Sequence, residues 1–503
     1  MTVLKILHSL ILFILVGGFL YSLLFRKKAR APGFPEGISL VFLLGMGGLP
    51  LCLFLLGFAG WITSALFNQK GFVVYLSHEV ITLVSLLCGA GWVFLNLKTF
   101  RIFLRGDIRR FFRGFRFLYL KARRMKNLER VLVFIVLLLI TLQFMYALRL
   151  PLIGFDSRAH WGFKTKILHC EETFFGESFF EPERIHPQVK HPLLLPLMEL
   201  VVTKSLGRYD DRLMKIPLAV IFACMLGIFY SECRRRYLRW VSLCLTILLG
   251  AIPRINTVAD GGMTSGYADA SMMIFLLASL IFIVRALQKS GRFRMAAASL
   301  FAAFAMYTKD DATGFTVAMV VALIISILIQ KREERKVSFY DLMTFIVMTG
   351  ILVIPGRVFS SMLSAGKGEY FQALLNPERV SENLSRLDFI LFSYKMEFVY
   401  NLPNWGFLWL ILILSCMNNF RRFKSPPILF TGLTILFYLG ALTVIFIVLP
   451  WNLSQFFAGS LSRLIMPLAP ASVYLIAMLW KKRVRSSLSR VSREIQEDEI
   501  ASS

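Results

Sequence analysis

Ionisable side chains stand at the ends of long apolar segments in several separate stretches of this sequence. The first stretch follows an apolar segment that ends near residue 149, and it contains Asp156, Trp161 and Lys164. A lone carboxylate beside an aromatic ring and lysines suits a general base that works next to a phosphate group. We therefore predict that Asp156 takes a proton from a hydroxyl or an amine, while Lys164 balances the charge of a leaving phosphate.

The other candidates have the same placement, at or just outside the end of an apolar segment. They are His186 and His191, which each precede a proline, Asp260, Tyr267 and Asp269 around a glycine-rich loop, Lys309, Asp310 and Asp311 in one short turn, and Arg463 near the C-terminus. Lys309 and Arg463 are expected to contact a phosphate, and the others to line a substrate site. No compact metal-binding motif occurs among them, so no cofactor is predicted, and a divalent metal stays an open alternative.

Most of these candidates also have a purely structural explanation. Asp156 and Asp269 could each cap the helix that begins beside it. The two histidines that precede proline could be ordinary turn residues. Lys309 and its two neighbouring aspartates could form an ion-paired turn, and Arg463 could extend its charged group to the membrane surface. The sequence favours a functional role over a structural one, because all these residues lie at or just outside the ends of apolar segments, where charged groups near the bilayer are costly.

The composition is that of a membrane protein. Hydrophobic residues make up 57% of the 503 residues, charged residues make up 17%, and the mean hydropathy is +0.66. Soluble domains are closer to about 45–50% apolar and about 25% charged. The net charge is +27, but the basic residues lie in short clusters between apolar segments. That pattern is typical of cytoplasmic membrane loops, so we predict a multi-pass membrane protein that binds no nucleic acid.

Thirteen apolar segments are candidates for membrane-spanning helices, which need about 20 residues each. They lie near 5–25, 38–66, 73–96, 131–149, 214–232, 240–253, 268–286, 294–308, 312–330, 341–358, 404–419, 427–449 and 461–480. Every second loop is basic, which predicts an external N-terminus and a cytoplasmic C-terminus. The first segment is interpreted as a retained anchor because no small-residue cleavage site follows it.

The same topology assigns the alternate loops to the extracytoplasmic side. These loops are 67–72, 150–213, 254–267, 309–311, 359–403 and 450–460. Every candidate residue lies in one of these loops or at an adjacent helix end, so all of them are expected at one membrane surface. The sequence thus predicts an all-α transmembrane bundle of about 13 spans with a long extracytoplasmic loop that contains Asp156.

Five short motifs occur in order along the later part of the chain. They are Asp156-x4-Trp161-x2-Lys164-x-Lys166, His191-Pro192-Leu193-Leu194-Leu195-Pro196, Gly266-Tyr267-Ala268-Asp269, Thr308-Lys309-Asp310-Asp311 and Arg463-x3-Pro467. Together they resemble motifs of polytopic C-type glycosyltransferases, the GT-C superfamily, which includes the protein O-mannosyltransferase and lipid A aminoarabinose transferase families. This chain departs from that pattern at Asp311, where the family has glutamate, and at Ala312, where it has glycine.

The resemblance implies an enzyme that moves a sugar from a polyprenyl-phosphate donor to an acceptor with inversion. Asp156 would be the base, Lys309 and Arg463 would contact the donor phosphate, and His191 and Asp269 would help to build the site. The acceptor would be a lipid, a glycan or a protein. The resemblance also implies an active site on the periplasmic or exterior face of a bacterial inner (plasma) membrane, in contact with membrane lipids.

The resemblance covers residues 131–480, which we interpret as a GT-C-like catalytic domain. Residues 1–97 would be additional N-terminal transmembrane helices, 98–130 a basic amphipathic segment on the cytoplasmic membrane surface, and 481–503 a disordered cytoplasmic tail. Two other functions stay open, namely a transporter or flippase for lipid-linked sugars and a polysaccharide polymerase or ligase. A transporter tends to place ionisable residues near the membrane midplane, whereas here they collect at segment ends on one face.

Overall fold

The computed structural model describes residues 1–25, 33–66, 74–97, 125–180, 189–258, 260–289, 291–330, 336–363, 383–449 and 452–480. Throughout these ranges the regular structure is helical, and no strand occurs. We number the α-helices of more than eight residues in chain order. They are α1 Thr2–Phe25, α2 Phe34–Leu66, α3 His78–Leu95, α4 Asn127–Arg149, α5 Phe163–Glu171, α6 Leu194–Leu206, α7 Ile216–Arg234, α8 Arg239–Gly250, α9 Ala268–Gln288, α10 Arg292–Thr308, α11 Ala312–Leu328, α12 Phe339–Met362, α13 Leu387–Lys395, α14 Leu408–Asn418, α15 Pro426–Val448, α16 Leu453–Ile465 and α17 Leu468–Leu479.

Nine helical stretches among the described residues are long and apolar enough to cross a membrane. They are Thr2–Phe25, Phe34–Thr63, His78–Leu95, Asn127–Arg149, Leu213–Arg234, Ala268–Gln288, Phe339–Met362, Pro426–Val448 and Leu453–Leu479. The predicted all-helical fold is therefore confirmed, and the helices fit a multi-pass membrane protein. The other four predicted spans correspond to the shorter helices α8, α10, α11 and α14, of 12, 17, 17 and 11 residues. The count of thirteen crossings stays a prediction.

Helix α9 is the centre of the bundle. Every residue from Ala268 to Leu287 is buried, and α9 contacts α7, α10, α15 and α17. Helix α4, in contrast, exposes large apolar side chains such as Phe134 and Leu137. An apolar surface of this kind is stable when it faces lipid, because lipid tails are as apolar as the side chains themselves.

The N-terminal helices pack directly against the rest of the bundle. Helix α2 contacts α6 and α7, and a Cβ atom added at Gly47 would lie 2.1 Å from the ring of Phe304 in α10. Small residues allow helices to approach this closely in a membrane. Of the predicted amphipathic segment 98–130, residues 98–124 lie outside the described residues, and α4 already begins at Asn127. The predicted tail 481–503 also lies outside them.

Candidate functional site

The loop after α4 presents Asp156 through an unusual turn. Residues Ser157–Gly162 form a π-helix, and the Ser157 hydroxyl donates a hydrogen bond of 2.7 Å to the carbonyl oxygen of Gly154. Single turns of π-helix occur often at functional sites. The Asp156 side chain makes no capping hydrogen bond to this helix. It is therefore available to residues from other parts of the chain.

Arg463 joins Asp156 to the central helix. Its Nη1 lies 2.7 Å from Oδ2 of Asp156, and its Nη2 lies 3.3 Å from Oδ2 of Asp269, the second residue of α9. Lys309 reaches the same aspartate, with its Nζ 2.8 Å from Oδ1 of Asp269 and 2.6 Å from Oδ2 of Asp311. We call these five residues the central charge cluster. They come from four distant stretches of the sequence.

The central charge cluster is buried at its core and open on one side. The Asp269 side chain is fully buried, whereas that of Asp156 is 26% exposed. Burial alone would lower the pKa of Lys309, but Asp269 and Asp311 outweigh that effect and raise it above its ordinary value. Lys309 is therefore held in its protonated form, and Asp156 and Asp311, whose side chains are 26% and 28% exposed, are the carboxylates of the cluster that a substrate could reach.

Tyr267 and the loop before α9 support the Arg463 side chain. The guanidinium carbon of Arg463 lies 4.6 Å from the centre of the Tyr267 ring. The Tyr267 hydroxyl donates to Oδ1 of Asp260 at 3.4 Å and accepts the backbone N–H of Asp156 at 3.3 Å. Gly261 has a φ of +91°, and an added Cβ there would lie 3.0 Å from Cγ of Arg463. Glycine is therefore required at this turn, both by its backbone conformation and by the close approach of Arg463.

His191, Trp161 and Lys164 form a second group of predicted residues. The rings of His191 and Trp161 stack with centroids 5.4 Å apart, and Nδ1 of His191 lies 3.4 Å from Oδ2 of Asp310. Lys164 is fully buried and donates a 2.7 Å hydrogen bond to the carbonyl oxygen of His191. Its burial lowers its pKa to about 7, although Asp310 opposes the shift. Lys164 thus supports the backbone of His191, and it makes no ion pair with the central charge cluster among the described contacts.

The turn between α10 and α11 separates these two groups. Lys309 and Asp311 point to the central charge cluster, whereas Asp310 pairs with His191 and with Arg357 of α12. Burial alone would raise the pKa of Asp310, but its bonds to His191 and Arg357 lower it below the ordinary value. Lys309 and Asp311 therefore belong to the central charge cluster, whereas Asp310, between them, belongs to the group around His191.

Sequence reasoning missed two arginines, one beside each group. Arg254, near Arg463, donates from Nη2 to the carbonyl oxygen of Asp260 at 2.5 Å, and Arg357, beside Asp310, donates from Nη2 to Thr313 Oγ1 at 2.7 Å. Arg357 had a detectable signal, because it is an arginine at the end of a predicted apolar span. Arg254 had no such signal beyond its place in the predicted extracytoplasmic loop 254–267.

A further carboxylate fixes the helix that carries Arg463. Glu397 is buried and accepts hydrogen bonds from Nε1 of Trp405 at 2.7 Å and from the hydroxyl of Ser462 at 2.5 Å. Asn404 donates to the same hydroxyl at 3.0 Å. Because Ser462 precedes Arg463, these bonds hold α16 next to the cluster. The sequence pattern gave no reason to connect Glu397 with this site.

The remaining predicted residue, His186, lies outside the described residues. Among those described, no group of three or more histidine, cysteine or acidic residues has the geometry to hold a metal ion. The arrangement offers a partly exposed carboxylate at Asp156, with the guanidinium of Arg463 and the ammonium of Lys309 beside it. Such a site can remove a proton and bind an anion at adjacent positions.

Comparisons of the sequence with protein-family models and with curated proteins found no match. The resemblance to GT-C glycosyltransferases therefore stays a hypothesis that rests on the five motifs. The coarser class is established by the fold, which is an all-helical bundle with several helices suited to a membrane.

Proposed function

We propose that this protein is a membrane glycosyltransferase of the GT-C type. It transfers a sugar from a polyprenyl-phosphate donor to an acceptor lipid, glycan or protein, with inversion, on the extracytoplasmic face of a bacterial plasma membrane. The observation that supports this most is the pair of contacts from Arg463 to Asp156 and Asp269. They bring a potential base and two potential phosphate ligands, Arg463 and Lys309, into one cluster.

The first step of the proposed reaction is binding of the donor phosphate, and it follows from the ion pairs that Arg463 makes. Arg463 is held by two carboxylates, and its Nε has no hydrogen-bond partner among the described residues. A donor phosphate that approaches Arg463 and Lys309 would compete with Asp156 for the guanidinium, since guanidinium groups bind phosphate strongly. Binding of the donor would therefore release Asp156 from its ion pair at the moment when a base is needed.

The transfer step then needs no group outside the cluster and the two substrates. Asp156 accepts the proton of the acceptor hydroxyl or amine, whose oxygen or nitrogen forms a bond to the anomeric carbon. The bond between that carbon and the phosphate oxygen breaks on the opposite face, so the configuration inverts. The electron pair stays on the departing polyprenyl phosphate, and Arg463 and Lys309 stabilise its growing charge. Asp269 keeps both cations in place.

The test uses purified protein in nanodiscs with radiolabelled polyprenyl-phosphate sugars and a panel of acceptors. We expect release of free polyprenyl phosphate, and a decrease of about 10²–10⁴-fold in Asp156→Asn, the range typical of a lost general base. Asp388→Asn is the matched control, because Asp388 is an exposed aspartate in the predicted outward loop 359–403. Equal activity in Asp156→Asn and in the control would refute the proposed base.

The same preparation separates the alternative functions. Movement of intact lipid-linked sugar across a vesicle membrane, with no bond cleaved, would replace the proposal by a flippase. Growth or attachment of a preassembled polysaccharide would indicate a polymerase or ligase. Cysteine variants at Asp156 and Lys309 should both react with an impermeant reagent from the extracytoplasmic side. Labelling from opposite sides would exclude a shared active site.

A further inference from the structure

Helix α14 is too short to cross a membrane by itself. Its 11 residues extend about 16 Å, whereas the hydrocarbon layer is about 30 Å thick. The residues before α14 supply the missing length. Helix α13 and the π-helix Met396–Tyr400 that follows it have 9 and 5 residues, which add about 20 Å. Together with α14 they have the length of one membrane crossing.

Helix α13 runs antiparallel beside the C-terminal half of α15. Arg386, just before α13, donates from Nη1 to the carbonyl oxygen of Leu449 at 2.6 Å, one residue past the end of α15. Eight residues further along, the Tyr394 hydroxyl lies 3.2 Å from Thr443 Oγ1 and 3.4 Å from the carbonyl oxygen of Leu439. Eight residues of α13 thus match six to ten residues of α15. Since α15 is long and apolar enough to span a membrane, α13 lies in the same layer.

The segment between α13 and α14 is broken, yet its polar groups are bonded within the protein. Gly406 has a φ of +55°, which interrupts the helix before α14. The backbone N–H groups of Asn401, Trp405 and Gly406 donate to carbonyl oxygens of the same segment. Glu397 is buried and accepts the side-chain N–H groups of Asn401 and Trp405 at 3.0 and 2.7 Å. Internal bonding of this kind is what a break at membrane depth requires, because lipid tails offer no hydrogen bonds.

One side of α13 and the π-helix is apolar and exposed. Phe389, Phe392, Met396 and Val399 have the spacing of one helical face, and their exposed fractions lie between 40% and 56%. An aqueous loop would gain about 1.5–3 kcal/mol by burying each such side chain fully. Against lipid tails, which are equally apolar, their exposure carries no such cost. Lys395, beside this face, has a stem long enough to direct its ammonium group toward the head groups.

We propose that residues 387–418 cross the membrane as one broken helix and that the exposed face of α13 contacts the hydrocarbon chains of membrane lipids. The sequence predicted this crossing only from residue 404. Lipid is the occupant that fits the face, because α15 beside it exposes Leu436 and Val444 in the same layer. The broken helix also adjoins the central charge cluster, since Glu397 accepts the hydroxyl of Ser462, the residue before Arg463.

Spin labels at matched depths in the two helices test this register. The full chain is placed in nanodiscs of palmitoyl-oleoyl phosphatidylglycerol, and the depth of each label is measured from its collisions with O2, which concentrates in hydrocarbon, and with a polar nickel chelate, which stays in water. The labelled variants are Phe392→Cys and Val399→Cys in the broken helix and Val444→Cys and Leu436→Cys in α15, all at exposed positions.

The contacts between α13 and α15 determine the expected depths. They place Phe392 level with Val444 and Val399 level with Leu436. Each pair should agree to about 3 Å, or two residues, and the second pair should lie about 10 Å deeper than the first. Arg208→Cys, at an exposed arginine of the predicted extracytoplasmic loop 150–213, is the control and should report water.

The labelling background lacks the five cysteines that are not buried. They are Cys52, Cys88, Cys170, Cys244 and Cys416. If this background does not fold, p-benzoylphenylalanine replaces Phe392, Val399 or Arg208 in the otherwise unchanged chain. Mass spectrometry then locates its lipid adducts, which should form at 392 and 399 but not at 208, and nearer the end of the acyl chain for 399.

Three results would overturn the inference. Labels at 392 and 399 that collide with the nickel chelate as often as the label at 208 would place α13 in an aqueous loop. Equal depths at 392 and 399 would indicate a helix that lies flat on the membrane surface. Protection from both reagents, with no lipid adducts, would show that protein covers the face. The measurement involves no sugar transfer, so the transferase proposal stands or fails separately.

Discussion

Replacing Arg463 by methionine tests the geometry on which the site depends. Methionine keeps an unbranched apolar side chain against the ring of Tyr267 but removes the charge. Asp269 would retain only Lys309 as an ion-pair partner, and Asp156 would lose its 2.7 Å contact altogether. Asp269 is fully buried, so its carboxylate would lose one of its two charged partners at a position that water does not reach in the wild type.

These contacts determine the expected loss in the free energy of unfolding of the Arg463→Met variant. Breaking a buried ion pair by removing one partner typically destabilises a protein by about 3–5 kcal/mol. Lys309 still neutralises part of the charge on Asp269, and the 26% exposure of Asp156 allows hydration of its carboxylate. We therefore expect a loss at the lower limit, about 3 kcal/mol in the free energy of unfolding. Arg208→Met removes a guanidinium that is 64% exposed from Asp210, whose buried carboxylate keeps the backbone N–H groups of Arg212 and Leu213 as donors, so it should cost less than about 1 kcal/mol.

Unfolding in mixed micelles of dodecyl maltoside and dodecyl sulfate provides the assay. The buried thiols of Cys224 and Cys233 become reactive on unfolding, so a short pulse of thiol labelling reports the unfolded fraction. Combining Arg463→Met with Asp269→Asn should cost about 1–2 kcal/mol less than the sum of the two single variants, because the residues share one interaction. Additive effects, or a cost for Arg463→Met no larger than that of Arg208→Met, would refute the cluster.

Two further predictions use the same unfolding measurement. Because burial lowers the pKa of Lys164 to about 7, the unfolded chain holds a proton between about pH 7 and pH 10.5 that the folded chain lacks, so stability should rise with pH across that window. Lys164→Met should remove this rise, whereas Lys166→Met, which changes an exposed lysine, should keep it. If stability depended on pH equally in the two variants, Lys164 would not be the group that causes the rise. Gly261→Ala should cost about 1–2 kcal/mol through its positive φ and its contact with Arg463. Gly440→Ala is the control, because a Cβ added there has no neighbour within 4 Å, and it should be neutral or slightly stabilising. An equal change in the free energy of unfolding for the two variants would contradict the strained turn at Gly261 and its close approach to Arg463.

Much of the helical architecture could be predicted, because a membrane-spanning helix needs a long apolar segment and such segments are visible in the sequence. The segment predicted at 268–286 corresponds to α9, which is Ala268–Gln288 in the structure. The segment predicted at 404–419 is less regular, since α14 begins only at Leu408 and Gly406 before it has a φ of +55°. Hydropathy averages over a window and cannot resolve such a local break.

The composition of the central charge cluster was partly predictable, but its pairing was not. Order along the chain and placement at segment ends indicated Asp156, Lys309 and Arg463. The sequence left open whether Asp156 capped a helix, and only the three-dimensional contacts show that its side chain meets Arg463. Nor could the sequence show that Asp310 turns away from Lys309, because the direction of a side chain in a short turn depends on the helices around it.

The two ends of α9 explain how the N-terminal helices and the central charge cluster belong to one unit. At the end opposite Asp269, Arg285 pairs with Glu36 of α2 at 2.6 Å and with Glu232 of α7 at 2.8 Å. All three side chains are buried. Because removing one partner of a buried ion pair is strongly destabilising, this contact holds α2 against that end of α9. Helix α2 runs from Glu36, near that end, to Phe54, whose ring packs against Tyr307 of α10 and Phe359 of α12. The buried ion pair and these aromatic contacts therefore join α2 to the rest of the bundle at two separate levels.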